Sequence, residues 1–498
     1  KKYFYINKRI CVFHLFNMET KDTQKKNNYT NTIESQVCKR KIWTPYSWRS
    51  YSISQQPIYS HKNQVEEVLE RIKSERLTIS SYEAVNKLRA ELSSQDKFIL
   101  IAGDCSEPLE DCEREVVYKK CAFLNYLGNL LSKKYQKEVV LLGRIAGQFG
   151  KPRSSNIELI DQKEYMTYRG DIVNSFDSNS RNPDPERLYL GALTAGKIKK
   201  QVTDWNVTNN ESTSKGVESR EYEQNWYKEL SSLYKEEWEK IYSQKELVGS
   251  TSGDSSVSSK DSYEESPSQN SPTINNKKAQ LSYSDNNSNS SNLNICIPGK
   301  TSPIYTCHEG LLLNYESSFT YENSINNKFY NLSAELLWIG ERTNNIKEAH
   351  VEYFRGLENP IGIKVSARTS ISDLVDILKL LNPENQIGKI LLITRVGNSV
   401  KGRDYLENLV KKIKESNISC SFICDPMHGN TELMSSFKTR RLGNLLEEVN
   451  STIEILKKNG MSLNGIHIEA TPFEVTECVE TDILEVKEES YKTKCDPR

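Results

Sequence analysis

Cys424-Asp-Pro-Met-His-Gly-Asn-Thr431 follows the apolar run Ile418–Ile423 and sets a carboxylate, an imidazole and a glycine turn at one strand end. A parallel α/β barrel keeps its chemistry at that place, the carboxyl-terminal tips of its strands. Two other segments share the build. Phe98-Ile-Leu-Ile-Ala-Gly-Asp-Cys105 ends a predicted strand on a thiol, and Gly465-Ile-His-Ile-Glu469 ends one on a carboxylate. Cys105, His428 and Glu469 are therefore candidate ligands for one divalent metal, each delivered from a different tip.

Working outward, the same rhythm of apolar run, polar tip and helical stretch recurs from Lys97 onward. The runs are Phe98–Ala102, Val139–Leu142, Leu336–Ile339, Ile361–Val365, Ile390–Thr394, Cys420–Ile423 and Gly465–Ile468. Helical periodicity separates them at Ser372–Leu381, Asp404–Glu415 and Leu442–Lys458. Alternating strand and helix implies a parallel sheet, and continuous apolar runs imply strands covered on both faces. Polar tips on every run favour a (β/α)8 (TIM) barrel over an open doubly wound sheet. No GxGxxG follows the first strand, which weighs against a dinucleotide fold. An eighth strand belongs between Leu188 and Tyr305, where Ile198–Val202 is the one faint candidate.

Outside the barrel, residues 1–42 read as a basic, asparagine-rich tail in which Glu19, Asp22 and Glu34 weigh against a transit peptide. The cytoplasm is the expected compartment, with a plastid or another organelle the alternative if that tail is a targeting segment. An N-terminal helical extension covers 43–96, with amphipathic helices at Gln64–Glu75 and Tyr82–Ser93. The barrel takes 97–498, interrupted at about 249–294 by a serine- and asparagine-rich insertion that cannot build a core. Tyr222–Tyr242, before it, reads as helical.

Lysine plus arginine equals aspartate plus glutamate, 67 each in 498 residues, so no global charge points to nucleic acid or a membrane surface. No stretch approaches the ~20 apolar residues of a transmembrane helix. The 11 cysteines lack paired CxxC spacings and read as reduced thiols.

A mixed thiolate, imidazole and carboxylate set suits Mn²⁺, Fe²⁺, Co²⁺ or Zn²⁺ rather than Mg²⁺. Cations occupy the other tips: Arg144, then Lys151 and Arg153; Glu341-Arg342; Lys364; and Arg395. An unpaired charge inside an apolar run is costly. Lys364 and Arg395 therefore require either an internal salt bridge to Glu341 or Asp425, or an anionic ligand that arginine forks can grip bidentately. Two reaction classes suit a metal beside a multi-anion pocket. One is an aldol-type condensation of phosphorylated substrates; the other is metal-assisted phosphoester hydrolysis, which usually uses two metals and carboxylate-rich ligation.

Several strings then carry a resemblance: Ala102-Gly-Asp-Cys-Ser-Glu107, Gly143-Arg-Ile-Ala-Gly-Gln-Phe-Gly-Lys-Pro-Arg-Ser154, Tyr168-Arg-Gly-Asp171, His308-Glu-Gly-Leu-Leu-Leu-Asn-Tyr-Glu316, Leu337-Trp-Ile-Gly-Glu-Arg-Thr343, Asn359-Pro-Ile-Gly-Ile-Lys-Val365, Asp425-Pro-Met-His-Gly-Asn-Thr431, Lys438-Thr-Arg440 and Cys495-Asp-Pro-Arg498. In this order they resemble the type II, plant-like class of 3-deoxy-D-arabino-heptulosonate 7-phosphate (DAHP) synthases. The resemblance runs from Trp43 to the last residue, apart from the insertion. It implies a barrel condensing phosphoenolpyruvate with erythrose 4-phosphate, the first step of the shikimate pathway.

By motif, the resemblance implies Cys105, His428, Glu469 and Asp496 as metal ligands, with Mn²⁺ first and Co²⁺ next among the ions. It implies Arg144, Glu341, Arg342, Lys364 and Arg395 for phosphoenolpyruvate, Arg153 and Ser154 for the sugar phosphate, and Lys151 as the proton donor. Aromatic feedback inhibitors and a homo-oligomer are further expectations. A catalytically weakened homologue kept for binding, or a phosphohydrolase on the same barrel, are the alternatives. This chain departs from the family pattern at Ala102 and at Ser366-Ala367, at Glu335 (a histidine in the family), and after Val479. The segment before Asp204-Trp205 is shortened, and a last sealing helix is expected beyond Arg498.

Overall fold

A computed structural model describes residues 42–94, 96–160, 162–210, 302–434, 437–473 and 478–479. Eight parallel strands close into a barrel: β1 Phe98–Gly103, β2 Val139–Arg144, β3 Ile304–Glu309, β4 Leu336–Ile339, β5 Ile361–Val365, β6 Ile390–Thr394, β7 Ser421–Cys424 and β8 Gly465–Glu469. Each strand pairs with its neighbours in sequence, and β1 closes the ring against β8. The (β/α)8 expectation holds.

The eighth strand is β3, not Ile198–Val202. Its six residues pair with β2 and β4, so no barrel strand is missing. Ile198–Val202 lies inside a 25-residue helix, α4 (Glu186–Asn210). Ile198 and Val202 are both buried, and their four-residue spacing puts them on one helical face.

Strand parity divides the core in two. Ile99 and Ile101, Val140 and Leu142, Tyr305 and Cys307, Leu336 and Trp338, Leu391 and Ile393, and Ile423 form one cluster, the barrel interior. The intervening residues, such as Leu337, Ile339, Ile363, Leu392 and Phe422, pack outward with the helices α6 (Ala349–Phe354), α7 (Ile371–Leu381), α8 (Val400–Glu415) and α10 (Leu442–Lys458). Successive strand residues point to opposite faces, so the residue two places beyond the last interior one also faces inward.

The extension supplies α1 (Lys62–Ser74) and α2 (Tyr82–Ser93), near the expected bounds. Ser81 caps α2 by accepting from the Ala84 N–H at 3.2 Å. Leu88 and Leu92 of α2 join the interior cluster. Arg89 pairs with Glu358 at 2.6 Å, and Ser93 donates to the Ile387 carbonyl at 3.0 Å. Both partners precede the starts of their strands, so α2 plugs the amino-terminal end and leaves the opposite mouth for chemistry.

All cysteines among the described residues are free thiols, as expected. No helix among the described residues is long and apolar enough to cross a membrane. The tail at 1–41, the helix expected at Tyr222–Tyr242, the insertion at about 249–294 and the segment bearing Asp496 lie outside the described residues.

Candidate active site

Interior parity carried one step past the last apolar inward residue delivers charge to the mouth: Arg144 after Leu142 and Glu309 after Cys307 at the ends of their strands, Arg395 after Ile393 and Asp425 after Ile423 just beyond theirs. Lys364 and Glu469 end the inward rows of β5 and β8. Gly103 is the exception, paired in register with Arg144 on one side and Glu469 on the other. A Cβ there would stand 2.8 Å from both Cβ and O of Arg144, and its φ of +146° suits glycine.

At the β7 tip, Asp425 caps the short helix α9 (Pro426–Gly429), accepting from the backbone N–H of Met427 at 3.1 Å and of His428 at 3.2 Å. The same carboxylate meets His428 Nδ1 at 2.8–2.9 Å, which turns Nε2 toward Glu469 Oε1 at 3.0 Å. Burial alone would raise the Asp425 carboxyl, but His428 and then Lys364, whose Nζ is 3.0 Å from Oδ2, hold it well below the usual range. Glu469 is likewise held far down against burial by His428, Arg440 and Arg144.

Arg144 is buried. It bonds His467 Nε2 at 2.8 Å and the Cys105 carbonyl at 2.8 Å, lies 3.5 Å from Glu469, and stands over the Trp338 ring at 5.5 Å. Burial, then Lys364, keeps the His467 imidazole well below its ordinary value; it is neutral, and Nε2 accepts from the guanidinium. Lys364 Nζ lies 5.4 Å from the Trp338 ring centre.

The β6 tip carries Arg395, which donates to the His428 carbonyl and lies 3.5 Å from Glu341. Glu341 also accepts from Ser366 Oγ at 2.8 Å and from Arg368. The internal ion pairs that the sequence allowed, Lys364 with Asp425 and Arg395 with Glu341, thus both form.

A second group lies on the loops beyond β2 and β4. Arg342 donates to Ser154 Oγ at 3.1 Å, and Arg153 pairs with Glu158 at 2.7 Å. Lys151 is half-buried on the same loop, its backbone N–H on the Arg169 carbonyl at 2.8 Å. Buried Glu107 holds the start of this loop, accepting from the N–H groups of Ala146, Gly147 and Gln148 at 2.9–3.1 Å.

His428 and Glu469 converge as two adjacent ligands of one ion would, and the Asp425–His428 contact is the outer support such a histidine ordinarily has. Cys105 follows Gly103, the register neighbour of Glu469. The donor chemistry fits a divalent metal, although among the described residues no group of three or more His, Cys, Asp or Glu side chains is arranged to hold one.

Sequence reasoning gave no role to Glu309, Trp338, His467 or Arg440. The first three were findable by parity, two places after Cys307, Leu336 and Gly465. Glu309 Oε1 is buried without a hydrogen bond among the described residues, and burial pushes its carboxyl up against the pull of Lys364, Arg342 and Arg144. Arg440 donates to the Met427 carbonyl at 2.7 Å and meets Glu469 at 3.3 Å. Its strand, Phe437–Arg441, pairs with Cys478–Val479 and has no apolar run to announce it.

Fold and mouth together define a (β/α)8-barrel enzyme whose site brings a histidine–carboxylate pair beside a ring of cations. Residues 43–498 match the model of the class-II DAHP synthetase family. The chain is 32% identical to a phospho-2-dehydro-3-deoxyheptonate aldolase of Neurospora crassa, over 92% of this chain and 91% of that protein. A Streptomyces coelicolor protein of the same name is 32% identical, over 91% and 93%. One from Mycolicibacterium smegmatis is 31% identical, over 84% and 83%. The chain belongs to the class-II DAHP synthetase family, and is a transferase of that class.

Proposed function

We propose that this chain condenses phosphoenolpyruvate with erythrose 4-phosphate, giving 3-deoxy-D-arabino-heptulosonate 7-phosphate and inorganic phosphate. The observation that carries the reading is the inward row of Arg144, Lys364 and Arg395 facing the same mouth as the His428–Glu469 pair, in a chain of this family.

Arg144, Lys364 and Arg395, with Glu341 and Arg342, bind the phosphate and carboxylate of phosphoenolpyruvate and offset their charge. Arg153 and Ser154 hold the phosphate of the sugar. Cys105, His428, Glu469 and Asp496 would hold a divalent ion, Mn²⁺ before Co²⁺, which when bound polarises the aldehyde. The methylene carbon of phosphoenolpyruvate attacks the aldehyde carbon, and Lys151 gives a proton to the aldehyde oxygen. Water adds at the resulting cationic carbon and loses a proton. The C–O bond to phosphate then breaks, the hydroxyl proton passes to the departing phosphate, and the ketone remains. Feedback inhibition by aromatic products and homo-oligomer formation belong to the same reading.

The test is phosphoenolpyruvate consumption with and without erythrose 4-phosphate, after chelation and after Mn²⁺ or Co²⁺ is returned. Consumption that needs both substrates and the ion supports the synthase. Phosphate release from phosphoenolpyruvate alone points to a phosphohydrolase.

A further inference from the structure

The segment Ser52–Gln56, between the first tryptophans and α1, reaches across to the mouth. The Ser52 carbonyl accepts from the Ala349 N–H at 2.9 Å. Ser54 Oγ lies 3.0 Å from Glu348 Oε2 and 3.4 Å from the Arg342 carbonyl. Gln56 Nε2 donates to the Leu311 carbonyl at 2.8 Å, two residues past Glu309. Gln55 reaches the third loop twice: its Oε1 accepts from the Arg153 N–H at 2.9 Å, and its carbonyl from Arg169 at 3.4 Å.

Two features set Gln55 apart. Its φ is +63°, a left-handed conformation uncommon outside glycine and asparagine, which the contacts around it must sustain. It also ties the Arg153 backbone to the Arg169 guanidinium, and burial and then the nearby Arg153 charge hold that guanidinium below its ordinary value. Arg153 has Glu158 as partner, whereas the contacts described for Arg169 are to Gln55 and Asn156 oxygens, neither of them charged. A half-buried guanidinium set beside a second one, on oxygens that leave its charge uncompensated, is the arrangement an anion completes.

We propose that Gln55 is a positioning residue for the sugar-phosphate end of the site, clamping the Arg153 backbone and the Arg169 guanidinium so that both serve one phosphate. The inference rests on the assignment of Arg153 to erythrose 4-phosphate and adds Arg169 and the N-terminal segment to it. Arg169, in the string Tyr168-Arg-Gly-Asp171, then has a role that neither the strand rhythm nor the metal site gave it.

The experiment compares Gln55→Gly and Arg153→Ala with the unaltered chain. Glycine accepts the left-handed backbone, so Gln55→Gly removes the side chain without adding strain. Affinity for erythrose 4-phosphate is read as KM and by calorimetric titration without phosphoenolpyruvate, so that it does not depend on turnover. Loss of one backbone hydrogen bond should weaken that affinity about three- to tenfold, with KM for phosphoenolpyruvate and thermal stability unchanged. A normal affinity in Gln55→Gly beside a weakened one in Arg153→Ala overturns the role of Gln55 and leaves the subsite standing. Unchanged affinity in both, or no binding by the unaltered chain, overturns the subsite and the inference together. An equal loss toward both substrates would mean general loosening and would also overturn it.

Discussion

Glu335→Ala removes a carboxylate that is fully buried between the extension and two barrel strands. Its Oε1 accepts from Ser80 Oγ and from Lys199 Nζ, each at 2.6 Å. Its Oε2 accepts from the Thr306 N–H at 2.6 Å and from Thr306 Oγ1 at 2.8 Å. Truncation leaves the Lys199 ammonium, whose side chain is 13% exposed, without its counter-charge, and strands the β3 backbone N–H. Breaking a buried pair from one side costs about 3–5 kcal/mol, which lowers the melting temperature by roughly 4–8 °C. Lys199→Met in the same background removes the stranded charge, so the double variant should recover about 1–3 kcal/mol as coupling.

Acidification sharpens the test. Lys199 holds the Glu335 carboxyl below its usual value despite burial, so its contribution is present above the unfolded value and lost as pH falls through the folded one. The deficit of Glu335→Ala should therefore shrink in acid. Thermal and urea unfolding followed by circular dichroism give both measurements. A loss under about 1 kcal/mol against the range above, or no relief from Lys199→Met, would refute the argument. Glu335→His, which installs the family residue, should also be destabilising here, since an imidazole cannot serve an ammonium and two Thr306 donors at once.

Arg395→Ala should raise KM for phosphoenolpyruvate by roughly 10- to 150-fold, the equivalent of a charged hydrogen bond of about 1.5–3 kcal/mol; an unchanged KM removes Arg395 from that role. Cys105→Ala and His428→Ala should each abolish metal-dependent turnover and lower the metal retained after gel filtration, measured by atomic absorption; full retention in either excludes that residue as a ligand. Gly340→Ala should cut kcat while leaving the fold intact by circular dichroism, because its Cβ would fall 2.0 Å from Glu309 Oε1 and drive that carboxylate from the mouth; a normal kcat would show that the placement of Glu309 does not matter to turnover.

Most of the barrel was legible because its strands are buried on both faces and read as unbroken apolar runs. β3 was not, since Ile304-Tyr-Thr-Cys-His-Glu309 alternates with polar residues. Thr306 and His308 are buried only because Glu335 and Glu316 receive them, at 2.8 Å and 2.9 Å. Glu335 lies 29 residues from Thr306, and Glu316, though eight residues from His308, sits on the helix after the strand, so strand alternation reveals neither pairing. Ile198–Val202 misled for another reason: Lys199, Lys200 and Gln201 separate its two apolar residues, and a spacing of four is that of one helical face, here α4. At the mouth, strand tips gave most of the candidate residues, whereas Glu309, Trp338 and His467 required the inward parity to be carried through each strand.

The departures from the family pattern bear on whether this site has decayed. Glu335 does not stand alone but has four donors around it, from Ser80, Lys199 and Thr306. Ser366, in place of a family glycine, donates to Glu341 at 2.8 Å and so helps aim the carboxylate beside Arg395. Ala102 is fully buried one residue before the glycine at the β1 tip. A chain drifting without selection on its mouth leaves unmatched polar groups behind, and each buried one costs about 1–3 kcal/mol. Here Ala102, Glu335 and Ser366 are absorbed into packing and hydrogen bonds, and in the inward row Arg144, Lys364, Arg395, Asp425 and Glu469 each have a charged partner, Glu309 being the exception. Compensation of this kind is what a maintained fold produces, and Ser366 on Glu341 carries it to the mouth itself.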